Sequence, residues 1–502
     1  MKLRSSYDWV VLGDDPGALL SAGLASRLGL SVLVVDSPQD RAKSKISKND
    51  QLWDPELNCL VGLGETENFP GVWYRCLRRL GLSDAEKHWI QPTPSEPDLL
   101  FPGLRMRWRN DLSQLKRELD REFGATEVPA QAILEWVERA RSPVLSYWSQ
   151  SPERMTWAAL PDGRLRGKSE RGPSDPTAVI RALQKVRARV PLQTLESGKG
   201  EILRSAIWNA FSSGQGPDLG VERWLNLASL SPVSAGFRGG LGQFREHLKN
   251  LAMQNGAHVP EGLRARRIFI EEGRLVGVQL QSRGSVIGAQ GGVVGCALDQ
   301  IQEQASVSGR SWLRRFREAP QATSWRFTLA LTVEADAVPV GAATRMIWSE
   351  AGAPPLEIEV VDPLDRGISQ SRHRIIFLRT LVPFSPESLA PAYQRRIAGR
   401  MFRQLTEVMP FLEFHVVRIY PDFRDDSDDD FRGAHPFSTL VEVPVNLRAG
   451  LRSGLGTRTG IEGLFVVSPE AFPELGSLGT AFAALEATAW IAHRSGIAGP
   501  LS

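Results

Sequence analysis

The chain has 502 residues, of which 42% are hydrophobic and 23% charged. This is the balance of an ordinary globular protein, and it excludes a disordered chain, a collagen-like repeat and a coiled-coil rod. A formal net charge of +3 over that length gives no argument for a nucleic-acid partner.

Cys59, Cys76 and Cys296 lie far apart with no CxxC, so a disulfide framework, a thiol redox motif and a cysteine zinc site are not expected. A reducing compartment follows. The first residues lack the long apolar run of a signal peptide, and no stretch approaches a transmembrane helix, so the expectation is a cytoplasmic protein. Peripheral membrane contact stays open, because 14 Trp and 20 Phe could include exposed anchors.

Trp9-Val10-Val11-Leu12 reads as a short buried strand. Gly13-Asp14-Asp15-Pro16-Gly17 reads as a tight turn, with Pro16 placed for the first turn of a helix. Leu19, Leu20, Gly23, Leu24 and Leu28 recur at helical spacing, and Gly29 stops the helix. Ser31 to Val35 is a second buried strand ending at Asp36. Strand, glycine turn, helix, strand and acid within about 30 residues form a nucleotide-binding βαβ unit.

Further on, the basic run at 41–48 reads as a solvated loop. Asp111 caps a predicted helix closed by Gly124, and residues 127–230 read as several helices broken by Pro and Gly. LRMRWRN at 104–110 alternates Arg with apolar residues, as an edge strand or a basic partner surface would, with a half-buried strand the default. Residues 237–256 give a glycine turn and an amphipathic helix with Phe244, Leu248, Leu251 and Ala252 on one face. A hairpin follows over 268–278, then a short strand holding Val293 and Val294. Residues 325–382 form a β region with Phe327, Leu329, Leu331 and Val333 alternating. A helix over 391–409, a strand over 414–419 and a final strand, turn and helix over 464–494 complete the chain. DDSDDD at 425–430 lacks the Gly and terminal Glu of a calcium loop and reads as an acidic turn.

Three segments in order carry a resemblance. They are YDWVVLGDDPGALLSAGLASRLGLSVLVVD at 7–36, FRGGLGQFREHLKNLAMQNGAHV with its hairpin and GGVVGCA, and GLFVVSPEAFPELGSLGTAFAALEATAWIA at 463–492. The chain resembles the FAD-dependent oxidoreductases that include phytoene desaturases and carotenoid isomerases and, more distantly, flavin amine oxidases. The resemblance implies an α/β fold. It has a discontinuous FAD/NAD(P)-binding Rossmann-like domain over 1–90, 235–320 and 455–502. An α+β substrate-type domain of mixed sheet and helices occupies 91–234 and 321–454.

The resemblance implies FAD as cofactor, held by Gly13, Gly17, Ala18, Asp36, Gly476 and Gly479. Three departures weigh against its retention. Asp15 stands where the second glycine should let backbone approach the pyrophosphate, with Asp14 beside it. Either of these acids could cap the helix and take the anion's place. The Gly-Gly-Arg element expected after Asp36 is replaced by PQDRAKSKISK. Ser468 and Pro469 replace a Gly-Asp pair, and Pro469 has no N–H to offer.

The sequence therefore points to a cofactor-degenerate, non-catalytic binding or structural subunit with a protein partner. The alternative is an active desaturase-like oxidoreductase on a hydrophobic small molecule, with no catalytic residue assignable. No lysine follows Lys249, which argues against the amine oxidase branch. None of the seven histidines forms a metal motif, so no metal is expected, and His247 reads as a surface or packing residue.

Overall fold

The computed structural model describes residues 3–36, 46–48, 51–53, 59–65, 71–92, 96–127, 231–281, 286–296, 324–350, 353–361, 372–383, 385–424, 439–442, 457–468, 471 and 477–497, with isolated positions between 131 and 207. The first strand, β1 (Ser6–Leu12), runs straight into the core, with Val10, Val11 and Leu12 at most 1% exposed. Such continuous apolar runs suit a parallel strand covered on both faces. β2 (Val32–Val35) lies parallel on one side of it and the long strand Val286–Val294 parallel on the other.

Val286–Val294 has two partners along its other edge. Its first residues pair antiparallel with Arg274–Leu280, which pairs with Ala265–Glu271. Its last residues pair parallel with Leu464–Val466. The six-stranded sheet thus joins three separate stretches of chain, as the discontinuous Rossmann-like reading expects. The glycines of GGVV have a packing reason. A Cβ on Gly291 would fall 2.3 Å from the Trp9 ring, and one on Gly292 would fall 2.9 Å from the Val10 carbonyl oxygen.

Helix α1 (Pro16–Arg27) is buried along nearly its whole length. It packs against helices Gly240–Gln254 and Ser477–Arg494. Gly23 lets α2 (Val72–Leu80) approach, since a Cβ there would meet Leu80 at 2.9 Å.

The second sheet has eight strands. In spatial order the main path is Val416–Tyr420, Ser324–Glu334, His373–Pro383, Leu356–Val361, Arg345–Trp348, Asp98–Phe101 and Leu104–Arg107. All neighbours are antiparallel except Arg345–Trp348 with Asp98–Phe101. Thr439–Glu442 adds to Ser324–Glu334. Alternation sorts the side chains. Trp325, Phe327, Leu329, Leu331 and Val333 join Ile397, Met401 and Leu405 of helix Pro391–Val408 in one apolar cluster.

The local readings can be placed residue by residue. The Asp111 carboxylate accepts the Gln114 N–H at 2.8 Å, and Gly124 breaks the helical path with φ 66°. The hairpin turns at Glu272 and Gly273, both at positive φ. Leu104–Arg107 is the edge strand expected. The basic run differs: Ile46–Lys48 pairs antiparallel with Gln51–Trp53, where Ile46, Leu52 and Trp53 supply strand formers on both sides. The acidic run 425–430 and most of 127–230 lie outside the described residues.

Candidate functional site

The turn between β1 and α1 is the point where a dinucleotide fold meets its cofactor. Gly13 has φ 107°, a conformation side chains avoid, and its N–H donates to the Val35 carbonyl at 2.8 Å. A Cβ there would sit 3.2 Å from the Cys296 nitrogen, so Gly13 holds the turn against the end of Val286–Val294. Pro16 occupies the first helical turn and brings no N–H.

Asp15 is the N-cap residue, with φ −61° and ψ 153°, and is half-buried. Its carbonyl accepts the Leu19 N–H at 3.0 Å, but its side chain makes no capping hydrogen bond. The expectation that a carboxylate caps α1 is therefore met in position and not in bonding. Pro16, with its preset φ, starts the helix without that help. Asp14 beside it is exposed.

Gly17 and Ala18 face protein. A Cβ on Gly17 would fall 2.5 Å from Thr480 Cγ2 and 2.6 Å from the Val467 carbonyl oxygen. Ala18 is fully buried, and its methyl group lies where a Gly295 Cβ would be, at 2.4 Å. Gly295 thus makes room for the alanine at the third motif position.

Asp36 ends β2 as expected, partly exposed, with its N–H donating to the Leu263 carbonyl at 2.7 Å. At the C-terminal segment, Ser468 is 1% exposed and its carbonyl accepts the Ala471 N–H at 3.0 Å. Gly479 is buried in the first turn of Ser477–Arg494. Pro469 and Gly476 lie outside the described residues. Ser477 ties this helix start to the chain after Cys59: its hydroxyl accepts the Val61 N–H at 3.2 Å, and its carbonyl accepts the Trp73 indole N–H at 2.8 Å.

Sequence reasoning missed the second sheet's other face. Ile347 and Leu99 of that face join the core of the Rossmann-like unit, while Met346 and Leu100 join the helix-covered cluster. On this face Arg345 donates to Glu357 at 2.8 Å and Arg379 donates to Glu359 at 2.7 Å. Register places Arg345 opposite Glu359 and Glu357 opposite Arg379, so the charges alternate across three strands. All four side chains are no more than about one-tenth exposed. Burial opposes ionisation of Glu357, but the Arg345, Arg379 and Arg326 cations outweigh it and hold its carboxyl below the usual range. Burial raises the Cys59 thiol, and Arg345, Glu357 and Glu359 all act on it, which puts the ladder beside the chain leading to Leu60–Val61. The signal was present as Glu-Ile-Glu at 357–359, but alternation alone reads as an exposed charged face.

His247 is half-buried against Phe237, with ring centroids 5.5 Å apart, and burial lowers its pKa. Among the described residues no group of His, Cys, Asp and Glu could hold a metal ion, and no helix is long and apolar enough to cross a membrane.

This architecture is the fold of the FAD-dependent oxidoreductases. Solved structures similar to this chain include an oxidoreductase from Methanosarcina mazei, at 15% identity over 95% of this chain and 99% of that one, with a TM-score of 0.56. Cyclohexylamine oxidase from Brevibacterium oxydans matches at 16% identity over 98% and 100%, with a TM-score of 0.51. A putrescine oxidase matches at 13% identity over 97% and 99%, with a TM-score of 0.56. No family model matches the chain, and no curated protein matches it.

The residues present suit different parts of FAD unequally. Asp36 stands directly after β2, where this fold commonly carries an acid. The pyrophosphate end is acidic: Asp14 and Asp15 stand before α1, where phosphate would need bare backbone N–H groups and positive potential.

Proposed function

We propose that this chain is a non-catalytic binding or structural subunit built on the fold of the FAD-dependent oxidoreductases, with its FAD contacts given up and a protein as its partner. The observation that carries this reading is Asp15. It occupies the N-cap of α1, half-buried, with Pro16 following it. Carboxylate and phosphate repel each other there at short range, in a setting only partly screened by solvent. Ser468 and Pro469 at the opposite contact point to the same reading.

The second reading is an active FAD-dependent oxidoreductase acting on a hydrophobic molecule. Asp36 at the end of β2 and the left-handed Gly13 favour it. The ion-pair ladder weighs against an apolar guest beneath the second sheet, because a hydrocarbon would offer those charges nothing.

Absorbance of the purified protein, and flavin fluorescence of its heat-released supernatant, test the two. The expected result is no flavin, even after incubation of the folded chain with excess FAD. The Asp15→Gly/Pro469→Asp double variant should regain binding. Near-stoichiometric flavin in the wild-type protein would overturn the proposal and select the second reading.

A further inference from the structure

A cleft of about 600 Å³ lies at the second sheet, lined in part by residues of its helix-covered face. Its floor includes Leu100, Met346, Trp348 and Met409. Trp348 is 8% exposed, and its indole N–H has no acceptor among the described residues. The walls are soft and polarizable, with an aromatic ring and two methionines.

The polar groups at this cleft are biased in sign. Glu350 and Glu407 line it, and both are exposed. Glu407 and Val408 are also the last residues of helix Pro391–Val408, so the cleft sits at the end that carries unsatisfied carbonyls and partial negative charge. Arg105 is the lining cation, and it is already held: its guanidinium donates to the buried Asp98 carboxylate at 2.5 Å, which also takes Arg107 at 2.5 Å. Two glutamates and a helix C-terminus thus line an apolar, aromatic recess whose arginine also pairs with Asp98.

We propose that this cleft is a binding site for a small organic cation, an ammonium head on an apolar or aromatic body. The head lies between Glu350, Glu407 and the helix end, and the body lies against Trp348 and the methionines. An anionic or neutral molecule of the same size lacks the first of these contributions, and an inorganic cation lacks the second. The site is independent of the cofactor question, since Leu100, Met346 and Trp348 lie on the opposite face of the sheet from Arg345 and Glu357.

Benzyltrimethylammonium is the probe. It has no N–H and presents charge and an aromatic ring together. Isothermal titration on the full chain at low ionic strength should show saturable, one-to-one binding, weakened by added salt. Glu350→Gln/Glu407→Gln should weaken it by roughly tenfold or more, the sum of two partly solvated ion contacts. These residues are exposed, so the variant keeps its fold, which circular dichroism verifies. Benzyl alcohol, the neutral comparison, should bind at least about tenfold more weakly. Trp348→Leu should weaken the cation more than it weakens benzyl alcohol. Absence of saturable binding, equal affinity for cation and alcohol, or unchanged affinity in the double glutamine variant would each overturn the proposal.

Discussion

Each of the two sheets has one region built by packing and one built from charge. In the Rossmann-like unit the body of α1 is fitted closely. Gly17 admits Thr480, Gly23 admits Leu80, and Gly295 admits Ala18. A few residues earlier the same unit carries two acids, Asp14 and Asp15, and the Asp15 side chain makes no capping hydrogen bond. In the second sheet, Phe327, Leu329 and Leu331 pack under a helix, while the reverse face buries Arg345, Glu357, Glu359 and Arg379. Packing constrains a residue through the shape of its neighbours whether or not a ligand binds. Phosphate contact constrains it only while phosphate is there. The two kinds of constraint therefore act separately on residues only a few positions apart.

The largest expected effect breaks the charged half of that contrast. Arg379→Met leaves Glu359 buried without its 2.7 Å partner and should cost about 3–5 kcal/mol in denaturant unfolding. Replacing the pair together, Arg379→Met/Glu359→Leu, should recover most of that loss, because the desolvation of both ions disappears with them. A double variant as unstable as the single would mean that the ladder's neighbours need the arginine itself, for instance through its stacking over the Phe377 ring at 5.1 Å.

Gly17→Ala comes next and tests the packed half. The new methyl group meets Thr480 and the Val467 carbonyl oxygen well inside contact distance. A backbone oxygen cannot rotate away, so the helix must shift, at about 1–3 kcal/mol. A stability equal to wild type would show that α1 is free to slide and that its fit is not the constraint argued above.

A smaller effect concerns His258, whose backbone bridges the outer edge of β2 and whose Nδ1 lies 2.6 Å from the Tyr7 hydroxyl. Burial first, and then nearby positive charge including that of Arg4, lower its pKa. The folded state therefore binds fewer protons than the unfolded state just below the ordinary histidine value. Stability from this site is complete above about pH 6.5 and falls as pH drops toward the depressed folded value. His258→Gln should flatten the thermal midpoint between about pH 7.5 and 5.5. Some slope should persist, since burial lowers His247 in the same direction.

Much of this was legible in the chain itself, and the reason is periodicity. The strand at Trp9–Leu12, the helix from Pro16, the 268–278 hairpin and the alternation at 327–333 all follow from spacing, because local geometry alone decides which face a side chain takes. The Asp111 cap was legible for the same reason. The ladder was not, because its partners sit on different strands and only register brings Glu357 opposite Arg379. Gly295 was not singled out either, since its role depends on Ala18, far away in the sequence.

Asp15→Gly carries the smallest expected change in stability and bears most directly on the acidic end. Asp15 is an N-cap residue whose side chain makes no capping bond. Asparagine, aspartate and serine caps owe their advantage over glycine to that bond, and even then glycine loses only a few tenths of a kcal/mol. Without it the loss should be about 0.3 kcal/mol or less, at the margin of a denaturant titration. Asp15 and Gly17 are two positions apart on one turn, so the pair of measurements compares the two requirements at nearly one place. A loss above about 1 kcal/mol would show the carboxylate stabilising the helix start in the anion's stead. In that case the acid would be a structural replacement for phosphate, and restoring glycine would uncover a site that the fold no longer supports empty. A loss within error would show that the carboxylate does not stabilise the helix start in the anion's stead.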